Sequence, residues 1–206
     1  GFITTFTISA DGSTITKVNS LEHDTVNGGS NSLVQVDSDT YALAYTGFAG
    51  DGFITTFTIS ADGSTITKVD SLEHDTTEVV HNSLVQVDSD TYALAYTQNS
   101  SADGYISTFT IDSDGNITAV KTQSEGNNLE HDTNKAEYNS LVQVDSDTYA
   151  VAYAGWGDDG FISTFTISAD DSTDDSTDDS TSTESKKRSG ACGFDRDCTA
   201  PRITKH

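Results

Sequence analysis

The sequence predicts an all-β chain assembled from repeated four-stranded antiparallel units, and three observations lead there. Long phrases recur: GFITTFTISADGSTITKV begins at Gly1 and again at Gly52, GYISTFTIDSDGNITAV begins at Gly104, and GFISTFTISAD begins at Gly160. A second phrase, NSLVQVDSDTYALAY, occupies 31–45 and 82–96 and returns as NSLVQVDSDTYAVAY at 139–153. These phrases are rich in Val, Ile, Thr, Tyr and Phe, which favour strands. No Pro and no sustained helical period interrupts residues 1–169.

The elements follow in order within the unit 31–76. SLVQVD at 32–37 is predicted as the first strand, closed by a tight turn at Ser38-Asp39. TYALAYT at 40–46 is the second. Successive side chains of a strand alternate between faces, so Tyr41, Leu43 and Tyr45 point one way and Ala42 and Ala44 the other. After a variable loop, FITTFTIS at 53–60 is the third strand. It sets Phe53, Thr55, Phe57 and Ile59 against Ile54, Thr56 and Thr58. Ala61-Asp62-Gly63-Ser64 is a hairpin turn, because Asp-Gly accommodates positive φ. TITKVDSLEHD at 65–75 is the fourth strand, with a break expected near Ser71. Neither face is strongly charged. A sheet that is bulky on one side and small on the other can stack between two like sheets.

Units of about 50 residues with four strands resemble the blades of kelch- or WD-type β-propellers. The likeness covers residues 1–169, with repeats starting at 1, 52, 104 and 160. It is architectural: no Gly-His…Trp-Asp pair and no kelch double glycine is present, so no family's function is carried over. A β-trefoil is the alternative fold, although a fourth copy beginning at Gly160 counts against it. Residues 1–25 supply two strands, 31–76 and 82–133 four each, and 139–168 three. Propellers close with 4–8 blades, so this arrangement is expected to be an incomplete arc whose open blade ends invite self-association.

The chain of 206 residues carries 33 acids against 10 Lys and Arg. Residues 1–169 hold 24 of those acids and only Lys17, Lys68, Lys121 and Lys135 as bases. Such a surface repels phosphate backbones, so nucleic-acid binding is not expected. No run of about 18 apolar residues exists, so no helical membrane insertion is predicted. The absence of Met and a start inside a repeat are expected of a fragment or processed product.

Residues 170–185 form a low-complexity acidic Ser/Thr linker, too poor in apolar residues to build a core. Residues 186–206 are basic and unrelated to the repeats, and are expected to be a disordered tail or the product of a slipped reading frame. Cys192 and Cys198 lie there, and two Cys do not make a zinc site.

The phrase Leu-Glu-His-Asp-Thr occurs three times and brings three His-Asp pairs: His23-Asp24, His74-Asp75 and His131-Asp132. One such pair suggests a general base oriented by a carboxylate. Three in register suggest a latch, in which His and Asp hydrogen-bond turn backbone and the Asn-Ser that opens the next unit at Asn31, Asn82 and Asn139. WD repeats are similar in using His and Asp this way. No catalytic residue is assigned. The acids of the DSDT turns (Asp37/Asp39, Asp88/Asp90, Asp145/Asp147) and of Asp112–Asn116 admit either turn chemistry or Ca²⁺, and no other cofactor is expected.

Sites that break the repeat are the better functional candidates. These are 26–30, 77–81 and 133–138 after the fourth strand, and 47–51, 98–103 and 155–159 after the second. Phe48 and the only Trp, Trp156, occupy matching loops; with Tyr138, Asp158 and Asp159 they form the candidate ligand-binding set. The sequence thus favours an extracellular or surface-exposed binding or adhesion module for a glycan or protein ligand. The rival readings are a fragment of a propeller enzyme, such as a glycosidase or lyase, and a self-assembling structural array.

Overall fold

The computed structural model describes residues 1–122 and 126–167, so the expected linker and tail lie outside the described residues. Among the described residues, fourteen strands fall into four sheets. The first sheet pairs β1 (Phe2–Ile8) with β2 (Ile15–Glu22). The second is a meander of β3 (Gly29–Gln35), β4 (Thr40–Thr46), β5 (Gly52–Ile59) and β6 (Ile66–Asp75). The third runs β7 (Val79–Gln86), β8 (Thr91–Gln98), β9 (Gly104–Ile111), with β10 (Ile117–Lys121) and β11 (Leu129–Asp132) both paired to β9. The fourth holds β12 (Glu137–Gln143), β13 (Thr148–Ala154) and β14 (Gly160–Thr166). All pairings are antiparallel.

Thirteen strands were expected, and the additional one comes from the third copy. Extra residues follow its Lys121, and the fourth strand divides there, at the counterpart of Asp70-Ser71, where a break was expected. Asn127 closes the gap: its Oδ1 accepts the Thr122 N–H at 2.9 Å, and its own N–H reaches the Thr122 carbonyl. In the second sheet β6 stays continuous and absorbs a bulge opposite Thr55–Phe57.

The side-chain alternation sets the packing. Ile3 of the first sheet meets Leu43, Tyr45, Phe57 and Ile66 of the second. Ala42, Ala44 and Ile54 of the second meet Leu84, Tyr92, Leu94, Tyr96 and Phe109 of the third. Ala93, Ala95 and Ile106 of the third meet Leu141, Tyr149, Val151 and Tyr153 of the fourth. The small face of each sheet therefore seats the bulky face of the next, and burial of these apolar surfaces drives the stacking. Face-to-face stacking of separate sheets is the propeller arrangement, and it sets the β-trefoil aside.

The first strands β3, β7 and β12 pack directly on one another, while the fourth strands touch less, so the sheets fan out from a hub lined by first strands. Two groups of connections result, one at each end of the strands. The Asp-Ser-Asp turns and the Gly-containing hairpins, nearly constant in sequence, share one edge. The second-to-third strand loops and the links between sheets share the other. At the constant edge the Asp37 carboxylate accepts the N–H groups of Asp39 and Thr40, and Asp88 repeats this with Asp90 and Thr91. Gly63 takes the left-handed conformation expected of the Asp-Gly hairpin, with φ 71°. No helix among the described residues is long and apolar enough to cross a membrane.

Candidate functional site

The His-Asp pairs sit inside the joints between sheets. Each ring lies over the glycine that opens the third strand of its own sheet, His23 on Gly1, His74 on Gly52 and His131 on Gly104. Each also meets a tyrosine of the next sheet edge-on: Tyr45 at 4.6 Å, Tyr96 at 5.1 Å and Tyr153 at 5.0 Å between ring centroids. His74 is fully buried. Burial pushes His74 and His131 down to about 4 and lowers His23 as well, since the charged ring loses its hydration; the adjacent aspartates oppose the shift. The rings are neutral packing groups at pH 7.

The aspartates carry the hydrogen bonds. Asp24 Oδ1 accepts the N–H groups of Val26 and Asn27. Asp75 Oδ1 accepts the N–H and hydroxyl of Thr77, and its Oδ2 accepts Gln98 Nε2 at 3.1 Å in the third sheet. Asp132 Oδ1 accepts Asn134 and Lys135 N–H, and its Oδ2 accepts the Tyr153 hydroxyl at 3.0 Å in the fourth sheet. The expected bonding of His to turn backbone and to the Asn-Ser is not what forms at His23 and His131. Their ring nitrogens are buried with no hydrogen-bond partner. The glycine beneath and the tyrosine beyond leave each ring in an aromatic slot. At His23 and His131 the imidazole nitrogens accept or donate no hydrogen bond with the neighbouring aspartate, whose oxygens are turned to backbone and to the next sheet.

Asn and Ser of the Asn-Ser-Leu phrase tie the hub instead. The Leu84 N–H donates to Ser32 Oγ and the Leu141 N–H to Ser83 Oγ, both at 2.9 Å and both between sheets. Asn82 Nδ2 donates to the Ser30 carbonyl and Asn139 Nδ2 to the His81 carbonyl. The residue before each Asn lies in a bulge of the first strand. It is held at positive φ without being glycine: Ser30 at 47°, His81 at 58° and Tyr138 at 57°. Such conformations are strained for side-chain-bearing residues and concentrate where function requires a fixed geometry.

These bulged residues differ in every copy and form a row beside the hub at the variable edge. The His81 and Tyr138 rings contact at 4.4 Å, and His81 is kept neutral by burial against the opposing field of Glu137. Next to them Lys135 Nζ bridges Glu137 at 3.3 Å and Asp158 at 2.6 Å, which raises the lysine and lowers the aspartate. Tyr138, Phe48 and Trp156 are all largely exposed. Tyr138 is joined to His81, and Asp158 to Lys135. Phe48 and Trp156 head single 3₁₀ turns on the second and fourth sheets, two sheets apart, and Asp159 is exposed beside the latter. His81, Lys135 and Glu137 were not singled out from sequence. The signal was available in the column Ser30/His81/Tyr138, which changes directly before an invariant Asn-Ser-Leu.

A shallow groove lined by Gln86, Val87, Asp88, Ser89 and Gln143 opens at the constant edge, away from this row. Its residues recur between copies, so it offers no copy-specific recognition. Among the described residues no group of three or more His, Cys, Asp or Glu side chains is placed to hold a metal ion.

No family model and no curated protein matches the chain. Solved structures do. A 6-phosphogluconolactonase candidate from Bacteroides fragilis aligns with a TM-score of 0.56 at 15% identity, over 80% of this chain and 44% of its own. A variant of a sialidase from Streptococcus pneumoniae aligns at 0.52 and 15%, over 76% of this chain and 24% of its own. The periplasmic gluconolactonase of Pseudomonas aeruginosa aligns at 0.51 and 13%, over 76% and 44%. At these identities the likeness shows the fold alone. The chain is an incomplete β-propeller arc and spans less than half the length of these structures.

Proposed function

We propose that the chain is a binding module of β-propeller type, extracellular or cell-surface, which selects a glycan or protein ligand at its variable edge. The carrying observation is the segregation of sequence change. One edge repeats nearly the same turns, while the other gathers the copy-specific residues together with exposed Phe48, Tyr138 and Trp156. Aromatic rings set among short polar side chains suit the C–H face and hydroxyls of a sugar, or an aromatic or proline anchor of a peptide. Ser30, neutral His81 and Tyr138 add uncharged donors and acceptors in a fixed row. The acidic surface favours neutral or cationic ligands.

The test is a glycan array and a peptide display screen with the intact chain, repeated with Tyr138→Ala and Trp156→Ala. Loss of a specific hit in either variant, with unchanged far-UV circular dichroism, supports the reading. Hits that survive both substitutions and Phe48→Ala overturn it.

A segment of a propeller enzyme is the second reading. Glu137 favours it, as an acid at the variable edge with Gly29 and Val80 at the matching positions. Hydrolysis of a chromogenic sialoside or a sugar lactone that disappears in Glu137→Gln would establish it over the first.

A further inference from the structure

The sequence holds two Asn-x-Ser/Thr triplets, the pattern that accepts an N-linked glycan in a secreted chain: Asn99-Ser100-Ser101 and Asn116-Ile117-Thr118. Both asparagines are exposed, and sequence alone ranks them together. The structure separates them.

Asn116 is tied down. It closes the hairpin between β9 and β10, and its Nδ2 donates to both oxygens of the Asp112 carboxylate, at 2.9 and 3.2 Å. The same carboxylate accepts the N–H groups of Asp114 and Asn116, and the Asp112 N–H donates to the Asn116 carbonyl at 3.1 Å. The Ile117 N–H donates to Asp70 Oδ2 of the second sheet at 2.8 Å, and Thr118 lies opposite Thr110 in the strand ladder. Turning the Asn116 amide outward breaks its bonds to Asp112, and hydrogen bonds to a charged partner are the stronger ones. Opening the whole triplet breaks the hairpin as well.

Asn99 is the opposite case. It heads the turn 99–101 between β8 and β9, on the variable edge. The backbone there is fixed: the Asn99 N–H donates to the Glu78 carbonyl and the Ala102 N–H to the Gln98 carbonyl, both at 2.8 Å. The Asn99 side chain makes no hydrogen bond, whereas every other asparagine among the described residues makes one. Ser101 is exposed, and its Oγ accepts the Asp103 N–H at 3.3 Å. The Asn99 amide can be presented to an enzyme without giving up an internal bond, on a loop held out by a rigid scaffold.

We propose that Asn99 is the acceptor of an N-linked glycan, and that the Asp112 turn keeps Asn116 unmodified. In the transfer, Asn99 Nδ2 attacks the anomeric carbon of an oligosaccharide carried on a lipid diphosphate. The carbon–nitrogen bond forms, the bond from that carbon to the diphosphate oxygen breaks, the lipid diphosphate leaves, and one amide proton passes to solvent. The glycan then stands on the third sheet, between the sheets that carry Phe48 and Trp156 on the same edge. This inference rests on the extracellular part of the proposed function.

The test is translation of the full chain, behind a cleavable signal peptide, with endoplasmic-reticulum microsomes, followed by a gel with and without an endoglycosidase. A known secreted glycoprotein in the same reaction controls for transfer. One endoglycosidase-sensitive band is expected, which Asn99→Gln removes and Asn116→Gln leaves. Asp112→Ala releases the Asn116 amide and should add a second glycan. An unshifted chain beside a glycosylated control overturns the inference, and so does a glycan that survives Asn99→Gln. A single glycan that persists in Asp112→Ala overturns the protective role of the turn. Microsomes supply the secretory lumen whatever the chain's native location, so these outcomes judge the acceptor alone, and the glycan array and peptide screen judge ligand binding separately.

Discussion

At the scale of single residues, the repeated His-Asp pair splits its work between a ring that packs and a carboxylate that accepts hydrogen bonds. His74 fills the joint between the second and third sheets, against Tyr96 and Phe109. Removing a fully buried ring leaves a cavity, so His74→Ala should lower stability by about 2–4 kcal/mol, read as a fall in the urea midpoint at pH 7.5. An unchanged midpoint would sink the packing role. The ring also sets a pH dependence. His74 and His131 titrate near 4 when folded and near the ordinary value of about 6.5 when unfolded. Between those limits the unfolded chain binds more protons, so stability is full above pH 6.5 and drains as pH falls toward 4. The shift at His74 alone corresponds to about 3 kcal/mol. His74→Phe keeps a ring without the proton and should flatten the profile between pH 7 and pH 4.5; an equally steep profile assigns the loss to other groups. The glycine beneath the ring gives a companion test. A Cβ on Gly52 would lie 2.6 Å from His74 Cε1 and 2.9 Å from Val79 Cγ2, whereas one on Gly160 meets nothing within 4 Å. Thermal melts should therefore show Gly52→Ala destabilising by about 1–3 kcal/mol, with Gly160→Ala within about 0.5 kcal/mol of the parent.

At the scale of elements, the first strands hold the hub through single hydrogen bonds repeated between sheets. Ser83 Oγ accepts the Leu141 N–H, and Ser→Ala at this position leaves that N–H without its acceptor. Ser83→Ala should cost about 1–2 kcal/mol in urea unfolding. Ser140, the same residue of the last copy, is exposed, with no further sheet beyond it among the described residues, so Ser140→Ala should change nothing measurable. Equal effects from the two would remove the staple from the account. This pair also marks the limit of what could be read from sequence. β4 at Thr40–Thr46 and β5 beginning at Gly52 follow directly from alternation, because a period of two is local. The stacking of small on bulky faces was legible for the same reason. The staple was not: Ser83 and Leu141 are 58 residues apart, and a Ser before a Leu looks like any surface polar residue. The left-handed backbone of His81 and Tyr138 was equally hidden, since it follows from a bulge fixed by pairing with β8 and β13. The candidate site was therefore only partly visible. Tyr138 and the loops showed as breaks in the repeat, while the contacts of His81 and Lys135 depend on the spacing between neighbouring sheets.

At the scale of the whole molecule, each sheet is stabilised by its neighbours, as in other stacked repeats. The third sheet is covered on both faces: Tyr92, Leu94 and Tyr96 face the second sheet, Ala93 and Ala95 face the fourth, and all five are fully buried. Among the described residues, the first sheet has two strands and an exposed outer face, and β14 has a neighbour on one edge only. Local opening should then cost most in the middle of the arc and least at its ends. Hydrogen–deuterium exchange read by mass spectrometry, at a dilution where the chain is monomeric, should find the amides of β8 and β9 slowest. Those of β1, β2 and β14 should exchange at least tenfold faster. Protection that is uniform across all four sheets would mean that the arc unfolds as one cooperative unit, and the nearest-neighbour account would fail.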